Sequence, residues 1–330
     1  MTMNPPVSTS TVSVKSSIRS IQAPTAVVMV RPHRFTSNPE TVQDNSFQSA
    51  VIDTDKDAAT SVAQAAYDEV TNAAAILQSQ GVRVHLYEDE GSDTPDSVFP
   101  NNWFSTHSGG HVALFPMYSP SRRRERRGDV IEMLKTQYRV QDVIDYTGLE
   151  QDGLFLEGTG AMVLDHLARV AYTAKSNRAN AVALERFCTH FNYEPMVFGT
   201  ADAAGRAVYH TNVLMCIATE FALVGFDLID DRARAAEVRA RLEESGRTVI
   251  ALSNQQIAEF AGNAMELTGH QHGQSGRILA MSARAAASLT ADQKALIEQS
   301  ARIVALPVPT IEMAGGSVRR MLAGVHLSAR

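Results

Sequence analysis

The chain has only two cysteines, no long hydrophobic run and no excess of basic residues. Two thiols, Cys188 and Cys216, cannot build a disulfide framework, so the sequence favours a reducing compartment and predicts a cytoplasmic protein. No stretch approaches the roughly 20 apolar residues that span a bilayer, which predicts no membrane partner. The formal net charge of −6 argues against a nucleic-acid partner.

Acidic residues are also absent from residues 1–25, which are rich in Ser, Thr, Pro and Val. This composition predicts a disordered leader. The leader has no apolar run suited to a signal peptide, but its basic residues and lack of acid leave a transit peptide open. The whole chain is 44% hydrophobic, ample for a large core, so we predict that residues 26–330 form a single domain.

Small polar clusters recur at nearly equal intervals, each before a short apolar run. They begin at Asn101, Glu157, His210, Asn263 (after Gly262) and Gly315. The intervals are 56 (157−101), 53 (210−157), 53 (263−210) and 52 (315−263) residues. A period of about 50 residues is typical of an array or a propeller.

Between the clusters, the hydrophobic pattern predicts two strands, a helix and a further strand. Four such β-β-α-β units are complete, whereas a strand at 26–30 lacks a preceding partner and a strand at 318–326 lacks a following one. Pairing of these terminal strands would complete a fifth unit, and closure would remove exposed sheet edges. The predicted fold class is therefore α/β, a five-bladed α/β propeller closed by its N- and C-terminal strands.

Polar side chains at the strand starts of such a ring would face one central pocket. The candidate site residues are Glu157, His210, Asn101, Asn102 and Asn212. A histidine can act as general acid and base, a carboxylate can hold an N–H group, and amides both donate and accept. This set suits a planar, nitrogen-rich small molecule. Asn45 and Asn263 are either substrate contacts or turn residues only.

Several short motifs follow one another in order over residues 26–327. They are Arg31-Pro32, Asn45-Ser-Phe-Gln48, Phe99-Pro-Asn-Asn-Trp103, Leu156-Glu-Gly-Thr-Gly160, Tyr209-His-Thr-Asn-Val213, Ala261-Gly-Asn-Ala-Met-Glu-Leu267 and Gly315-Gly-Ser-Val-Arg319. Together they resemble the guanidino-group-modifying (amidinotransferase or pentein) superfamily, closest to its citrulline-utilisation hydrolase and arginine-deiminase-related branch.

The resemblance implies a five-bladed α/β propeller without metal or organic cofactor. It also implies a Cys-His-Glu site that cleaves a guanidino or ureido C–N bond through a covalent intermediate. His210 would be the acid/base and Glu157 the orienting residue.

Two positions bear on the substrate that the resemblance implies. Arginine deiminases bind the cationic guanidinium with aspartates, and Asn102 and Asn212 stand at the matching positions. An amide suits a neutral ureido group better, because a buried carboxylate there would lack a cationic partner. The sequence therefore points to citrulline, converted to ornithine, ammonia and carbon dioxide, ahead of arginine, or to a dihydrolase reaction that passes through a ureido stage.

The nucleophile position departs from the resembled pattern. Where the family has Gly-Gly-Ser-x-Arg-Cys-Met, residues 315–321 read Gly-Gly-Ser-Val-Arg-Arg-Met, so Arg320 replaces the cysteine. A guanidinium stays protonated and cannot attack carbon. Cys216 would lie about 20 Å along a strand from His210, and Cys188 falls in a predicted helix. The chain is thus either a silent ligand-binding or regulatory propeller, or a single change away from an active parent.

Three further points stay open at this level. Arg320 is expected to reach into the pocket and pair with Glu157. The basic run 122–127 is either a solvated loop beside a helix, or a lid or a patch that binds anions. A homo-oligomer is neither required nor excluded.

Overall fold

The computed structural model describes residues 20–41, 47–48, 56–202, 204–271 and 273–330, and for residues 56–58 it describes the backbone alone. Asn45 therefore lies outside the described residues. The strands are β1 Ala26–Pro32, β2 Arg83–Asp89, β3 Phe104–His107, β4 His111–Leu114, β5 Asp142–Asp145, β6 Met162–Asp165, β7 Val170–Ala174, β8 Glu194–Phe198, β9 Met215–Ile217, β10 Phe221–Val224, β11 Thr248–Ala251, β12 Met265–Gln271, β13 Gln274–Ser282, β14 Arg302–Leu306 and β15 Ala323–Gly324.

The helices include long ones that cover the sheets and single turns that carry polar residues. They are α1 Lys56–Ser79, α2 Pro120–Arg123, α3 Gly128–Gln137, α4 Gly158–Ala161, α5 Ala181–Phe191, α6 Arg232–Glu244, α7 Asn254–Ala258, α8 Ala283–Ser288, α9 Ala291–Glu298, α10 Pro309–Glu312 and α11 Val318–Met321. Short 3₁₀ helices span Pro100–Asn102, Thr147–Asp152, Thr211–Val213 and Phe226–Leu228. None of the described helices is long and apolar enough to cross a membrane.

The strands form five three-stranded sheets of one construction, β15-β1-β2, β3-β4-β5, β6-β7-β8, β9-β10-β11 and β12-β13-β14, which we call units 1 to 5. In each, the first two strands are antiparallel and the third returns parallel to the second after a helix. This is the β-β-α-β unit that the sequence predicted.

Unit 1 shows why the chain folds in this way locally. The buried side chains of Ala66, Val70, Ala73 and Leu77 recur at helical spacing on one face of α1. They pack on the apolar strand β1 in one hydrophobic cluster. The parallel return to β2 then needs a sharp turn, and Gly81 provides it with a φ of +79°.

The terminal strands pair as predicted, because β15 lies antiparallel to β1 with Val28 opposite Ala323. The predicted strand at 318–326 was wrong, since residues Val318–Met321 form α11 and only Ala323–Gly324 is extended. A long-range and a local hydrogen bond hold this turn: the amide of Ser317 donates to Asn263 Oδ1 (3.1 Å), and Arg320 N donates to Ser317 O (3.0 Å). No single sheet is closed in the described residues, and closure of the five units into a ring stays a prediction.

The predicted leader needs a boundary correction. Residues 1–19 lie outside the described part, but residues 20–25 pack against the domain. Gln22, Ala23 and Pro24 are buried, and Arg83 N donates to Thr25 O at 2.9 Å. Composition had placed these residues in the leader because it does not reveal tertiary contacts.

A buried ion pair joins units 3 and 4, and its removal gives a test of this arrangement. Arg247 binds both carboxylate oxygens of Asp165 at 2.6 and 2.9 Å and also donates to Ala218 O. Replacing Arg247 by Met would leave a buried carboxylate without its cation. We expect Arg247→Met to lower the free energy of unfolding in urea by about 3–5 kcal/mol.

The matched control is Arg241→Met, which removes an exposed pair with Glu194. That change should cost at most about 1 kcal/mol. Equal losses in the two variants would show that the Arg247–Asp165 pair does not hold the units together.

Candidate active site

Four of the five polar clusters stand on single helical turns that precede the first strand of a unit, rather than at the strand starts themselves, and the fifth, at Asn263, lies in a non-helical turn before β12. Asn101 and Asn102 belong to the 3₁₀ helix before β3, and Glu157 caps α4 before β6. His210 caps the 3₁₀ helix before β9, and Arg320 lies on α11 before β15. Each turn ends the preceding loop and directs a side chain between units.

Glycine allows these turns to come together. A Cβ atom on Gly160 would lie 2.5 Å from Asn102 Nδ2 and 3.0 Å from His210 Nδ1. A side chain at residue 160 would therefore push the imidazole and the amide apart. Glycine is therefore needed at residue 160 because of this close packing, and not because of the conformation of the turn.

Glu157 and His210 form the centre of the site. Glu157 Oε2 lies 2.7 Å from His210 Nε2, and both residues are 0% exposed. Asn102 Nδ2 is 3.4 Å from the same imidazole nitrogen. His210 Nδ1 has no hydrogen-bond partner among the described residues, so a neutral imidazole that donates through Nε2 keeps a free basic nitrogen.

Two arginines that the sequence reasoning did not assign to the site neutralise Glu157. Arg178 Nη1 lies 3.1 Å from Oε2 and Arg122 Nη1 lies 3.8 Å from it, while Tyr118 N donates to Oε1. Burial alone would raise the pKa of Glu157, but the Arg178 guanidinium and the His210 hydrogen bond hold that pKa well below its usual value.

The pair between Arg122 and Glu125 could have been predicted from the sequence. The run 122–127 was interpreted as solvated or as an anion patch, yet the Arg122 side chain is buried and makes a bidentate pair with Glu125 at 2.9 Å. The three-residue spacing of this pair was a usable signal. Arg178 lies 21 residues from its partner Glu157, and no local pattern marks it.

Buried charges of both signs act on the imidazole of His210. They are the cations Arg178 and Arg320 and the anion Glu157. An imidazolium would add a third positive charge beside a single carboxylate. Burial, reinforced by Arg320 and Arg178 and only partly opposed by Glu157, accordingly lowers the pKa of His210 to about 3. Burial also raises the pKa of Glu125 to about 7.

Arg320 is buried, but the predicted pairing with Glu157 is wrong. Its Nη1 donates to Tyr209 Oη (2.8 Å) and Gly315 O (3.2 Å), and its guanidinium carbon lies 4.2 Å from the Phe99 ring centroid. No described carboxylate lies within 4.0 Å of it. The reason is that Glu157 is already neutralised by Arg178, so the second cation is held by aromatic faces and neutral oxygens.

The asparagines mainly fasten the turns to one another. Asn212 Nδ2 donates to Thr159 O (3.1 Å), Asn263 Nδ2 donates to Asn212 O (2.8 Å), and Asn101 Nδ2 lies 3.3 Å from Thr159 Oγ1. The structure thus brings together four of the five predicted amides. Among the asparagines that the structure describes at the site, the Oδ1 atoms of Asn101 and Asn102 are buried without a protein partner, which leaves these two as groups that could contact a ligand.

Neither cysteine belongs to the site. Cys188 lies in α5 and Cys216 in β9, both are free and buried, and burial raises the pKa of each thiol to about 12. In the described part of the chain, no three His, Cys, Asp or Glu side chains are placed to hold a metal ion. The arrangement offers an acid/base pair and amides, with a guanidinium where the resembled family has its nucleophile.

The lowered pKa of His210 predicts a pH-dependent stability. The unfolded chain, with an ordinary histidine pKa of 6.5, binds more protons than the folded chain between about 3 and 6.5. The stabilisation is therefore complete above pH 6.5 and is lost as the pH falls through this window. From pH 7 to 5, we expect urea denaturation to show a steeper decline for the unmodified chain than for His210→Gln, by up to about 1.4 kcal/mol per pH unit. Parallel profiles would mean that His210 has the same pKa in the folded and unfolded chains.

Comparison with known proteins supports the relationship that the motifs suggested. No curated protein sequence matches the chain. Among solved structures, the N-terminal domain of ArgZ, a cyanobacterial arginine dihydrolase bound to substrate, superposes with a TM-score of 0.69 at 17% identity, covering 90% of this chain and 96% of that domain.

Two further structures share the fold. AgrE in a ternary complex with ornithine and NAD⁺ matches with a TM-score of 0.67 at 18% identity, and this chain covers 40% of AgrE while 92% of the chain is matched. DDAH from Pseudomonas aeruginosa, complexed with citrulline, gives a TM-score of 0.60 at 13% identity over 91% of this chain and 98% of that one.

At these identities the likeness concerns the fold, which is the mixed α/β fold of the pentein structures. A family model described as N,N dimethylarginine dimethylhydrolase, eukaryotic, matches residues 31–327. Members of this family are hydrolases that act on guanidino C–N bonds. Because that match spans nearly the whole chain, the chain belongs to the eukaryotic N,N-dimethylarginine dimethylhydrolase family within the pentein, or amidinotransferase, superfamily.

Proposed function

We propose that this chain carries the site of a hydrolase for the ureido or guanidino group of citrulline- or arginine-like amino acids, in a catalytically silent form. The observation that carries the proposal is the buried Glu157–His210 pair at 2.7 Å beside a turn whose nucleophile position holds Arg320. The acid/base pair is complete, whereas both thiols of the chain lie on other elements.

The residues present have clear roles in the reaction that a cysteine at residue 320 would perform on citrulline. The thiol would lose its proton to His210 Nδ1, attack the ureido carbon and form a C–S bond. His210 would return the proton to the departing ammonia. Water would then add to the same carbon, the C–S bond would break, and the resulting carbamate would release carbon dioxide and ornithine. Glu157, through Nε2, would hold the imidazole in place.

Arg320 impairs this chemistry in two ways. It supplies no nucleophile, because its guanidinium has no lone pair available at neutral pH. It also adds a buried positive charge that contributes to the lowered pKa of His210, which weakens the base. A cysteine in its place would remove both effects.

The substrate class follows from the groups that remain free. The Asn102 amide, whose Oδ1 has no protein partner, can accept from a ureido or guanidino N–H without adding a carboxylate. Relatives described as bound to citrulline, ornithine or substrate in an arginine dihydrolase lie within this chemical range. We therefore keep citrulline, converted to ornithine, ammonia and carbon dioxide, as the first candidate.

A second function is supported by Arg320 itself. A family member without its nucleophile can still serve as a ligand-binding or regulatory protein for such amino acids. Burial of the guanidinium against Phe99 and Tyr209 favours this alternative for the chain as it stands. The two free thiols fit the cytoplasm as its location.

Restoring the thiol tests the proposal. We expect the unmodified chain to release no ammonia from citrulline above background. Arg320→Cys should release ammonia at a rate at least about 100-fold above that background, because nucleophile and base then act together. The measurement is a coupled ammonia assay with citrulline and with arginine.

Arg320→Ala, which removes the guanidinium without adding a thiol, and the double variant Arg320→Cys/His210→Gln should both stay silent. A folded Arg320→Cys protein without turnover of either substrate would overturn the assigned site. A strong preference of this variant for arginine would contradict the ureido assignment alone.

A further inference from the structure

Residues 20–25 cross the domain and bond to all five units; we call this segment the N-terminal brace. Its hydrogen bonds to units 1, 2 and 5 are Arg83 N to Thr25 O (2.9 Å), Ser20 Oγ with Ser108 Oγ (2.9 Å), and Thr268 N and Oγ1 to Pro24 O (3.0 Å) and Ala23 O (2.9 Å). The Gln22 side chain supplies the bonds to units 3 and 4.

Gln22 is buried, and its amide is fully used. Its Nε2 donates to Leu164 O on β6 and to Ile217 O on β9, each at 3.0 Å. Its Oε1 accepts from His166 N at 2.9 Å. Because β6 and β9 belong to different sheets and share no backbone ladder, the amide is a direct polar link between them.

The two linked strands directly follow the turns that carry the acid/base pair. Leu164 follows Glu157 by seven residues (164−157), and Ile217 follows His210 by seven (217−210). At the site end, Asn212 Nδ2 binds Thr159 O across the same two units. The Asn212 amide thus joins the two turns that precede β6 and β9, and the Gln22 amide joins the far ends of these strands.

A small cavity lies beside the Gln22 link. Its volume is about 30 Å³, and its lining includes Gln22, Leu164, Cys216, Ile217, Glu266 and Arg319. Gln22 contributes to the wall on the side of the brace, while Arg319 is the chain neighbour of Arg320. The Cys216 thiol therefore reports on whether this wall is intact.

We infer that Gln22 is a positioning residue for the Glu157–His210 pair and that the N-terminal brace seals the cavity beneath the site. Removing the Gln22 amide leaves two buried carbonyls without donors, and water must enter to satisfy them. Strands β6 and β9 then lose their link at the far end, and the carboxylate–imidazole contact loosens. Arg247, bonded to Asp165 and Ala218 O, still connects the two units, so the domain should remain folded.

Alkylation of the two cysteines in the full-length chain tests whether the N-terminal brace seals the cavity. In Gln22→Ala we expect Cys216 to react with iodoacetamide about tenfold faster or more, while Cys188 on α5 keeps its rate. Ile21→Ala is the matched control, because Ile21 is the exposed neighbour in the brace; both thiols should react there as in the unmodified chain. Peptide mass spectrometry separates the two sites.

The pKa of the His210 imidazole tests the positioning role of Gln22. Replacing a residue that merely stabilises the fold would leave this pKa unchanged. In Gln22→Ala, we expect this pKa, followed by NMR on ¹⁵N-histidine-labelled protein and assigned with His210→Gln, to rise by about one unit or more from its low value. The reason is that entering water relieves the burial that is the main cause of the lowered pKa, and this outweighs the loss of the Glu157 hydrogen bond that raises it. Ile21→Ala should leave it unchanged.

Three results would overturn the inference: an unchanged Cys216 rate in folded Gln22→Ala, equal acceleration of both cysteines, or an unmoved His210 pKa. If the alanine variant does not fold, Gln22→Met keeps the side-chain volume but removes both donors, and the same three criteria apply to it. Neither measurement depends on turnover, so a silent Arg320→Cys protein would not affect their interpretation.

Discussion

The burial of one carboxylate, Glu157, constrains the rest of this structure. An ionised carboxylate out of contact with water costs several kcal/mol unless cations and donors surround it. Arg178, Arg122, the Tyr118 amide and His210 meet this requirement from units 2, 3 and 4 and the loops between them. The pair with His210 is therefore part of a charge balance that involves several elements.

The same balance explains the environment of Arg320. Once Glu157 is paired, a further guanidinium gains little from approaching it, and Arg320 rests instead on Phe99 with bonds to Tyr209 and Gly315 O. Gly316 is needed for this, because a Cβ atom there would collide with the Arg320 side chain. This member of a family that acts on guanidino groups thus accommodates an arginine side chain at the nucleophile position, and it lacks the nucleophile as a result.

Much of the architecture was predictable because it repeats. The interval of about 50 residues, the β-β-α-β order and the pairing of β1 with β15 follow from local hydrophobic pattern and from the unpaired ends of the array. The errors lie where side chains override pattern. Residues Val318–Met321 have strand-like composition but wind into a turn because Asn263 binds the Ser317 amide.

The sequence by itself determined which residue types recur at the site, that Glu157 and His210 meet, and that no thiol stands at residue 320. Tertiary structure alone decided the partners of Arg178 and Arg320, the burial of Arg122, and the role of Gln22 in the predicted leader. Gln22 reaches Leu164 across 142 residues, and Arg320 reaches Tyr209 across 111. Contacts of this range depend on how whole units pack, and a local pattern of residues carries no record of that packing.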